Sequence, residues 1–78
     1  MAETTEDVIR GIMADILDLE PMTIDDDTMM ENVESWDSSN HINLVLALEQ
    51  HFGICFDVRE IESMVSFRDV VQTVEGKL

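Results

Sequence analysis

The sequence predicts an all-α fold: a small four-helix bundle with three longer helices, one short helix and a long first loop. Its apolar residues recur at steps of three and four, which is the spacing of helices that bury one face. The helical stretches open on Thr, Asp or Ser residues that suit a helix N-cap. Because 78 residues cannot be divided into two pieces that each bury a core, residues 1–78 are expected to form one domain.

The first helix is predicted to open at Thr4, a capping residue followed by Glu6 and Asp7, where the helix dipole favours acids. Pro21 is expected to end this helix, because the residue before a proline is pushed out of the helical region. The residues predicted to form its buried face are Val8, Ile9, Ile12, Met13, Ile16 and Leu19.

Residues 21–36 form a connection that is long for a small domain. We expect it to be ordered, because it carries apolar residues at intervals that pin it onto the helices. These anchors are Ile24, Met29, Met30, Val33 and Trp36.

The second helix is predicted to start after Asp37, a good N-cap, and to end at Gly53, since glycine adopts the left-handed conformation at a helix end without steric cost. Its apolar arc covers more than half of the circumference, which favours burial against more than one neighbour. The arc consists of Ile42, Leu44, Val45, Leu46, Leu48 and Phe52. Glu49 falls inside this arc and is expected to reach out to solvent where the bundle opens.

The last third of the chain predicts a short helical turn over residues 57–61, capped by Asp57, and a final helix capped by Ser66. The final helix is expected to run to about Val74 and to end at Gly76. Residues 54–56 are apolar but have no second strand to pair with, so we interpret them as a buried loop. Cys55 is then predicted to be a small buried filler.

The composition is strongly acidic, with 18 Asp and Glu against 4 Lys and Arg, a formal net charge of −14. No Lys or Arg lies between Arg10 and Arg59. Such a molecule repels nucleic acid and anionic membranes and attracts basic protein surfaces. The 45% hydrophobic content and the clear periodicity argue against disorder. On charge alone, a solvated acidic surface without a partner is the alternative.

The location is predicted to be cytoplasmic and the protein a monomer. The single cysteine forms no disulfide within the chain and suits a reducing compartment. The first residues lack the basic and hydrophobic regions of a signal peptide. No apolar run approaches the length of about eighteen residues that a membrane span needs.

Neither catalysis nor metal binding is favoured. Asp37, Ser38 and His41 are neighbours on a helix, but the chain has no nucleophile elbow and little length left for an oxyanion hole or a pocket. A packing or hydrogen-bonding role is expected for His41. The two histidines and one cysteine have no zinc spacing. The triplet at 25–27 does not continue as an EF-hand, because methionines occupy the fifth and sixth positions.

Ser38 is the one side chain that the pattern singles out. It is predicted to open the second helix, where backbone N–H donors and the positive end of the helix dipole point outward, a favourable place for a phosphate. Ser35 lies before the cap, and Ser39 is rotated by about 100° from Ser38. The simpler alternative is that Asp37, Ser38 and Ser39 serve only as capping residues.

Asp37-Ser38, followed by the run from Leu44 to Ile54, resembles the acyl carrier proteins. In that family an Asp-Ser-Leu motif starts the second of four helices, and the serine carries 4′-phosphopantetheine. The form Trp36-Asp37-Ser38-x-x-His41-Ile42 is similar to stand-alone carriers outside the main fatty-acid pathway. The resemblance extends over nearly the whole chain.

The resemblance implies a carrier and not an enzyme. Ser38 would hold the covalent 4′-phosphopantetheine arm beside Asp37, after modification by a phosphopantetheinyl transferase. The arm would carry acyl thioesters to basic-surfaced enzymes that transfer or modify acyl groups in fatty-acid, lipid or polyketide-type biosynthesis. A medium acyl chain is expected to insert among five apolar side chains. These are Met13, Val45, Leu46, Ile61 and Met64.

Two features depart from the family's pattern. Ser39 stands where the family usually has an apolar residue that helps the transferase dock, and Asn43 and Gln50 stand where carboxylates are common. This favours partners other than the general fatty-acid enzymes. The residues predicted to dock partners are Asp25, Asp26, Asp27, Glu34, Ser39, Asn43, Leu46 and Glu49. The alternatives are a peptidyl or aminoacyl carrier, and an acidic helical interaction module without a prosthetic group.

Overall fold

A computed structural model describes residues 4–78, which form four α-helices joined by loops. The helices are α1 Thr5–Leu17, α2 Ser38–Phe52, α3 Val58–Ser63 and α4 Phe67–Lys77. Two short 3-10 turns, Pro21–Thr23 and Met30–Asn32, lie in the connection between α1 and α2. The predicted bundle of three longer helices and one short helix is confirmed. In the described part of the chain, strand-like pairing is limited to an isolated bridge between Met29 and Ser66.

The start of α1 agrees with the prediction, but its end does not. Thr4 caps the helix, since its Oγ1 accepts a hydrogen bond from the Asp7 N–H at 3.1 Å. The helix ends at Leu17 and not at Pro21, because Asp18 adopts a left-handed conformation with φ of 57°. The backbone N–H groups of Asp18 and Leu19 both donate to the Ala14 carbonyl, which closes the last turn. Pro21 instead begins the first 3-10 turn.

The buried face of α1 is shifted from the predicted one. Ile9 and Met13 are buried as expected, and Ala14 and Leu17 are buried beside them. The other four predicted residues are only partly buried and surround this face. Side chains from α1, α2, α4 and the connecting loops form one hydrophobic core. Its buried members are Ile9, Met13, Ala14, Leu17, Ile24, Trp36, Leu44, Val45, Leu48, Phe56, Met64, Phe67, Val70, Val71 and Val74.

The long connection between α1 and α2 is ordered, as predicted. Ile24 and Trp36 are both buried in the core, and the other three anchors are partly buried. The Met30 N–H donates to the Val65 carbonyl at 2.7 Å, and the Phe67 N–H donates to the Thr28 carbonyl at 2.9 Å. These bonds fix the second half of the connection to the segment that enters α4.

The prediction for residues 54–56 was right about the loop and wrong about Cys55. Cys55 is exposed, whereas Phe56 is buried and Ile54 is partly buried. In an extended segment successive side chains point to opposite sides, so the central residue faces solvent when its neighbours pack inward.

The C-terminal helices follow their caps. The Asp57 side chain accepts from the Glu60 N–H, and the Glu60 side chain accepts from the Asp57 N–H, which is a complete capping box at the start of α3. Ser66 caps α4 as predicted. Gly76 does not end α4, which continues to Lys77. Across residues 4–78, none of the helices has the length and apolar character needed to cross a membrane.

Candidate functional site

The N-terminus of α2 presents two exposed serines. Asp37 has an extended backbone and caps the helix, because its Oδ1 accepts from the Asn40 N–H at 2.9 Å. Ser38 is the first residue of α2, and both Ser38 and Ser39 are exposed. Their N–H groups have no acceptor within the helix, since the first turn lacks preceding carbonyls. This helix end therefore favours a negatively charged group such as a phosphate.

Ser35, the third serine near this end, is engaged elsewhere. Its hydroxyl donates to the Leu17 carbonyl at 2.7 Å, so it fixes the approach to α2 against the end of α1. The Asn40 side-chain amide donates to the Ser35 carbonyl at 2.7 Å and adds a second tie. The geometry thus separates a structural serine from the two exposed ones.

A hydrogen-bond chain links the start of α2 to α3. The Trp36 indole Nε1–H donates to His41 Nδ1 at 3.0 Å, and His41 Nε2 lies 2.7 Å from the Ile61 carbonyl oxygen in α3. Trp36 is 2% exposed and His41 is 8% exposed. Because an indole N–H only donates and a carbonyl only accepts, the imidazole is the neutral tautomer with its proton on Nε2.

This chain confirms the hydrogen-bonding role expected for His41. Both ring nitrogens are occupied by Trp36 and Ile61, so neither is available to accept a proton from Ser38. Sequence reasoning did not identify Trp36 and Ile61 as the partners. The sequence did contain a signal for the Trp36 partner, because a buried tryptophan needs an acceptor for its N–H.

Seven of the eight predicted docking residues are exposed and fall into two groups. The triplet 25–27 is exposed on the loop between the two 3-10 turns, and Glu34 is exposed just before α2. Ser39, Asn43 and Leu46 are exposed along α2 at steps of four and three, so they share one helix face that begins beside Ser38.

Glu49 does not belong to that exposed face. Its Oε2 accepts from the Phe56 N–H at 2.9 Å, and the side chain is partly buried. The prediction that Glu49 reaches out to solvent was wrong, because the loop after α2 supplies a backbone donor that holds its carboxylate.

The exposed apolar surface of the molecule was only partly foreseen. Ile42 and Leu46 were placed in the buried arc of α2, yet each is 50% exposed, so the arc is narrower than predicted. Leu46 therefore lies outside the core residues among which an acyl chain was expected to insert. Val58 in α3 and Val65 after it are also exposed, and periodicity gave no signal for either.

Two of the four basic side chains, Arg10 and Lys77, form ion pairs with acids. Arg10 pairs with Asp7 at 2.8 Å and with Glu6 at 3.1 Å, and Lys77 pairs with Glu60 at 2.8 Å. The hydrogen bond from Lys77, aided by that from the Asp57 N–H, lowers the pKa of Glu60. Within residues 4–78, no cluster of three or more His, Cys, Asp or Glu side chains is arranged to hold a metal ion.

Comparison with known proteins gives consistent matches over nearly the whole chain. The family model for the phosphopantetheine attachment site matches residues 7–74. The acyl carrier protein of Campylobacter hominis is 31% identical over 68 residues, which is 87% of this chain and 86% of that protein. The acyl carrier protein of Thermosynechococcus vestitus is 26% identical over 70 residues, covering 90% and 86%.

Solved structures give the same result. The solution structure of a holo acyl carrier protein from Geobacter metallireducens superposes with a TM-score of 0.83 at 27% identity, covering 94% of this chain and 84% of that one. A holo acyl carrier protein from Nitrosomonas europaea superposes with a TM-score of 0.80 at 24% identity, covering 95% of both chains. At 24% identity, the likeness to the Nitrosomonas europaea protein concerns the fold alone.

Proposed function

Because this chain belongs to the acyl carrier protein family, we propose that Ser38 carries its prosthetic group and presents acyl cargo to partner enzymes. Members of the family are carriers rather than enzymes, and the prosthetic group is 4′-phosphopantetheine. When bound, its terminal thiol supplies thioester chemistry. The observation that carries the choice of residue is the exposed Ser38 hydroxyl at the first position of α2, directly after the cap Asp37.

The described residues fit a covalently attached phosphodiester. The Ser38 hydroxyl is open to solvent, so a modifying enzyme can reach it. The N–H groups of Ser38 and Ser39 and the dipole of α2 favour the negative charge there. Asp37 and Ser35 are committed to backbone hydrogen bonds that hold the helix start in place. These residues position the attachment serine and leave the arm free to move.

The partners we propose are a phosphopantetheinyl transferase and basic-surfaced enzymes that transfer or modify acyl groups. The support is the net charge of −14 and the exposed α2 face that starts beside Ser38. Ile42 and Leu46 add apolar contact area on this side of the helix. The pathway we propose is fatty-acid, lipid or polyketide-type biosynthesis.

We also propose that residues 1–78 act as one domain, as a monomer in the cytoplasm. The support for one domain is the single core to which the long loop and the helices contribute. Repulsion between copies that each carry −14 favours the monomer. The exposed free thiol of Cys55 suits a reducing compartment.

The test is modification by a broad-specificity phosphopantetheinyl transferase with coenzyme A, followed by intact mass and fragment mapping. The expected result is one added group at Ser38, lost in Ser38→Ala and retained in the matched control Ser39→Ala. A group mapped to Ser39 or Ser35 would overturn the choice of residue. No mass increase with any transferase, including those encoded nearby, would instead favour the acidic interaction module.

A further inference from the structure

The Asn40 side chain ties the chain before Ser38 to the first turn of α2. Its amide Nδ2 donates to the Ser35 carbonyl at 2.7 Å, across five residues of sequence. Asn40 and Ser35 are both partly buried, whereas Ser38, which lies between them, is exposed. This hydrogen bond therefore closes a ring of backbone that contains the attachment serine and leaves its side chain open to solvent.

The backbone of Asn40 holds a second point of the same ring. Its N–H donates to Asp37 Oδ1 at 2.9 Å, so Asn40 supplies hydrogen-bond donors to two of the three residues that precede Ser38. The Ser35 hydroxyl extends the network to the Leu17 carbonyl at the end of α1. The position of Ser38 is thus fixed against both α1 and α2 through bonds that meet at Ser35 and Asn40.

An amide suits both neighbours of the Asn40 side chain. Asn43 Nδ2 donates to Asn40 Oδ1 at 3.3 Å, while Asn40 Nδ2 donates to the Ser35 carbonyl. A carboxylate of the same shape would accept from Asn43, but it has no proton to donate and would place an acceptor against the Ser35 carbonyl. An apolar side chain of similar size offers neither group. Replacement by Asp or Leu therefore removes the tie to Ser35.

The loading reaction depends on where the Ser38 Oγ lies. In transfer from coenzyme A, this oxygen forms a bond to the phosphorus that bears the pantetheine. The bond from that phosphorus to adenosine 3′,5′-bisphosphate breaks, and the serine proton is released. The attacking and leaving oxygens must be roughly in line at phosphorus. Misplacement of an attacking atom by about 1 Å can slow a reaction about a hundredfold.

We infer that Asn40 is a positioning residue for the loading of Ser38, because its amide holds the backbone on both sides of the attacking hydroxyl. This inference rests on the proposed function, since it takes Ser38 as the attachment residue. The Asn40 amide is engaged within the chain by Ser35 and Asn43. It therefore acts on the rate of transfer once the transferase is bound and not on the affinity for the transferase.

The test is single-turnover loading of the full chain with coenzyme A and an excess of a broad-specificity phosphopantetheinyl transferase, followed by intact mass. The rate constant at saturating transferase reports the transfer step, and the half-saturating transferase concentration reports docking. We expect Asn40→Leu and Asn40→Asp to lower the saturating rate constant about tenfold. The half-saturating concentration for Asn40→Leu should stay within about twofold of the parent value.

Matched controls make the same changes at an asparagine elsewhere. Asn32→Leu and Asn32→Asp alter an exposed residue of the long connection and should load like the parent. An unchanged saturating rate constant in a folded Asn40 variant would overturn the inference. A change confined to the half-saturating concentration would also overturn it, because Asn40 would then be a docking residue.

Folding of each variant is checked by circular dichroism before loading. If Asn40→Leu does not fold, the saturating rate constant of Asn40→Asp decides, since that substitution keeps the size and polarity of the side chain. A parent protein that is not modified at Ser38 would overturn both proposals. A parent that is modified at Ser38, together with Asn40 variants of unchanged rate, would overturn this inference alone.

Discussion

Substitutions at Trp36 and His41 break the hydrogen-bond chain that runs from Trp36 through His41 to Ile61. Their effects on the free energy of unfolding should be strongly non-additive. Trp36→Phe leaves one buried group, His41 Nδ1, without its donor. His41→Leu leaves two groups unpaired, the indole N–H and the Ile61 carbonyl. Each buried group left unpaired costs about 1–3 kcal/mol in the free energy of unfolding. The two single variants together leave three unpaired groups, whereas the double variant leaves only the Ile61 carbonyl.

The double variant should therefore lose less stability than the sum of the two singles, by about 2 kcal/mol or more. For a domain of this size each 1 kcal/mol corresponds to a shift of about 4–8 °C in the melting temperature. Urea unfolding followed by far-UV circular dichroism suits all variants, because tryptophan fluorescence is lost with Trp36. His51→Leu is the control and should change stability by less than about 0.5 kcal/mol. If the stability loss of the double variant equals the sum of the two single losses within about 0.5 kcal/mol, Trp36 and His41 are not energetically coupled.

Four further expectations concern loading, docking and stability. Ser39→Leu should be modified at least as fast as the parent by a phosphopantetheinyl transferase, measured by mass against time; slower loading would contradict a missing apolar contact. Asp26→Lys should slow association with a basic partner enzyme without changing the melting temperature. Association of the parent protein with that enzyme should slow as the salt concentration rises. Association rates that do not depend on salt would exclude electrostatic steering. The pKa of Glu60 is lowered from its ordinary value of 4.5 by Lys77, so this pair stabilises the fold above that pH, and the contribution is lost as the pH falls through the lowered pKa. Acid titration of stability should show a smaller loss in Lys77→Met than in the parent, because the Asp57 N–H still donates to Glu60 in the variant. Gly53→Ala should cost about 1–2 kcal/mol, because φ at this position is 67°, and an unchanged unfolding midpoint would refute that strain.

Features that depend on neighbours in sequence were predictable from the sequence itself. The start of α2 at Asp37 and its end at Gly53 were correctly predicted, because a capping carboxylate and a left-handed glycine act within a few residues of their own position. The caps at Thr4, Asp57 and Ser66 were foreseen for the same reason. The anchors of the long connection were recognisable because apolar residues in a loop need a core to pack on. Ser38 could be nominated from its place after a cap, and it stays a prediction until modification is mapped.

Features that depend on a distant partner were decided only by the tertiary structure. The Ile61 carbonyl that accepts from His41 lies twenty residues away in α3. Glu49 turns inward because the loop after α2 brings the Phe56 N–H within reach. Exposure of Leu46 likewise follows from how α2 is rotated against its neighbours, which helical periodicity does not specify when the apolar arc is wide. The sequence therefore determined where helices begin and placed Ser38 directly after a cap. Packing determined which polar groups meet in the interior, because a hydrogen bond between two helices requires both to be in place.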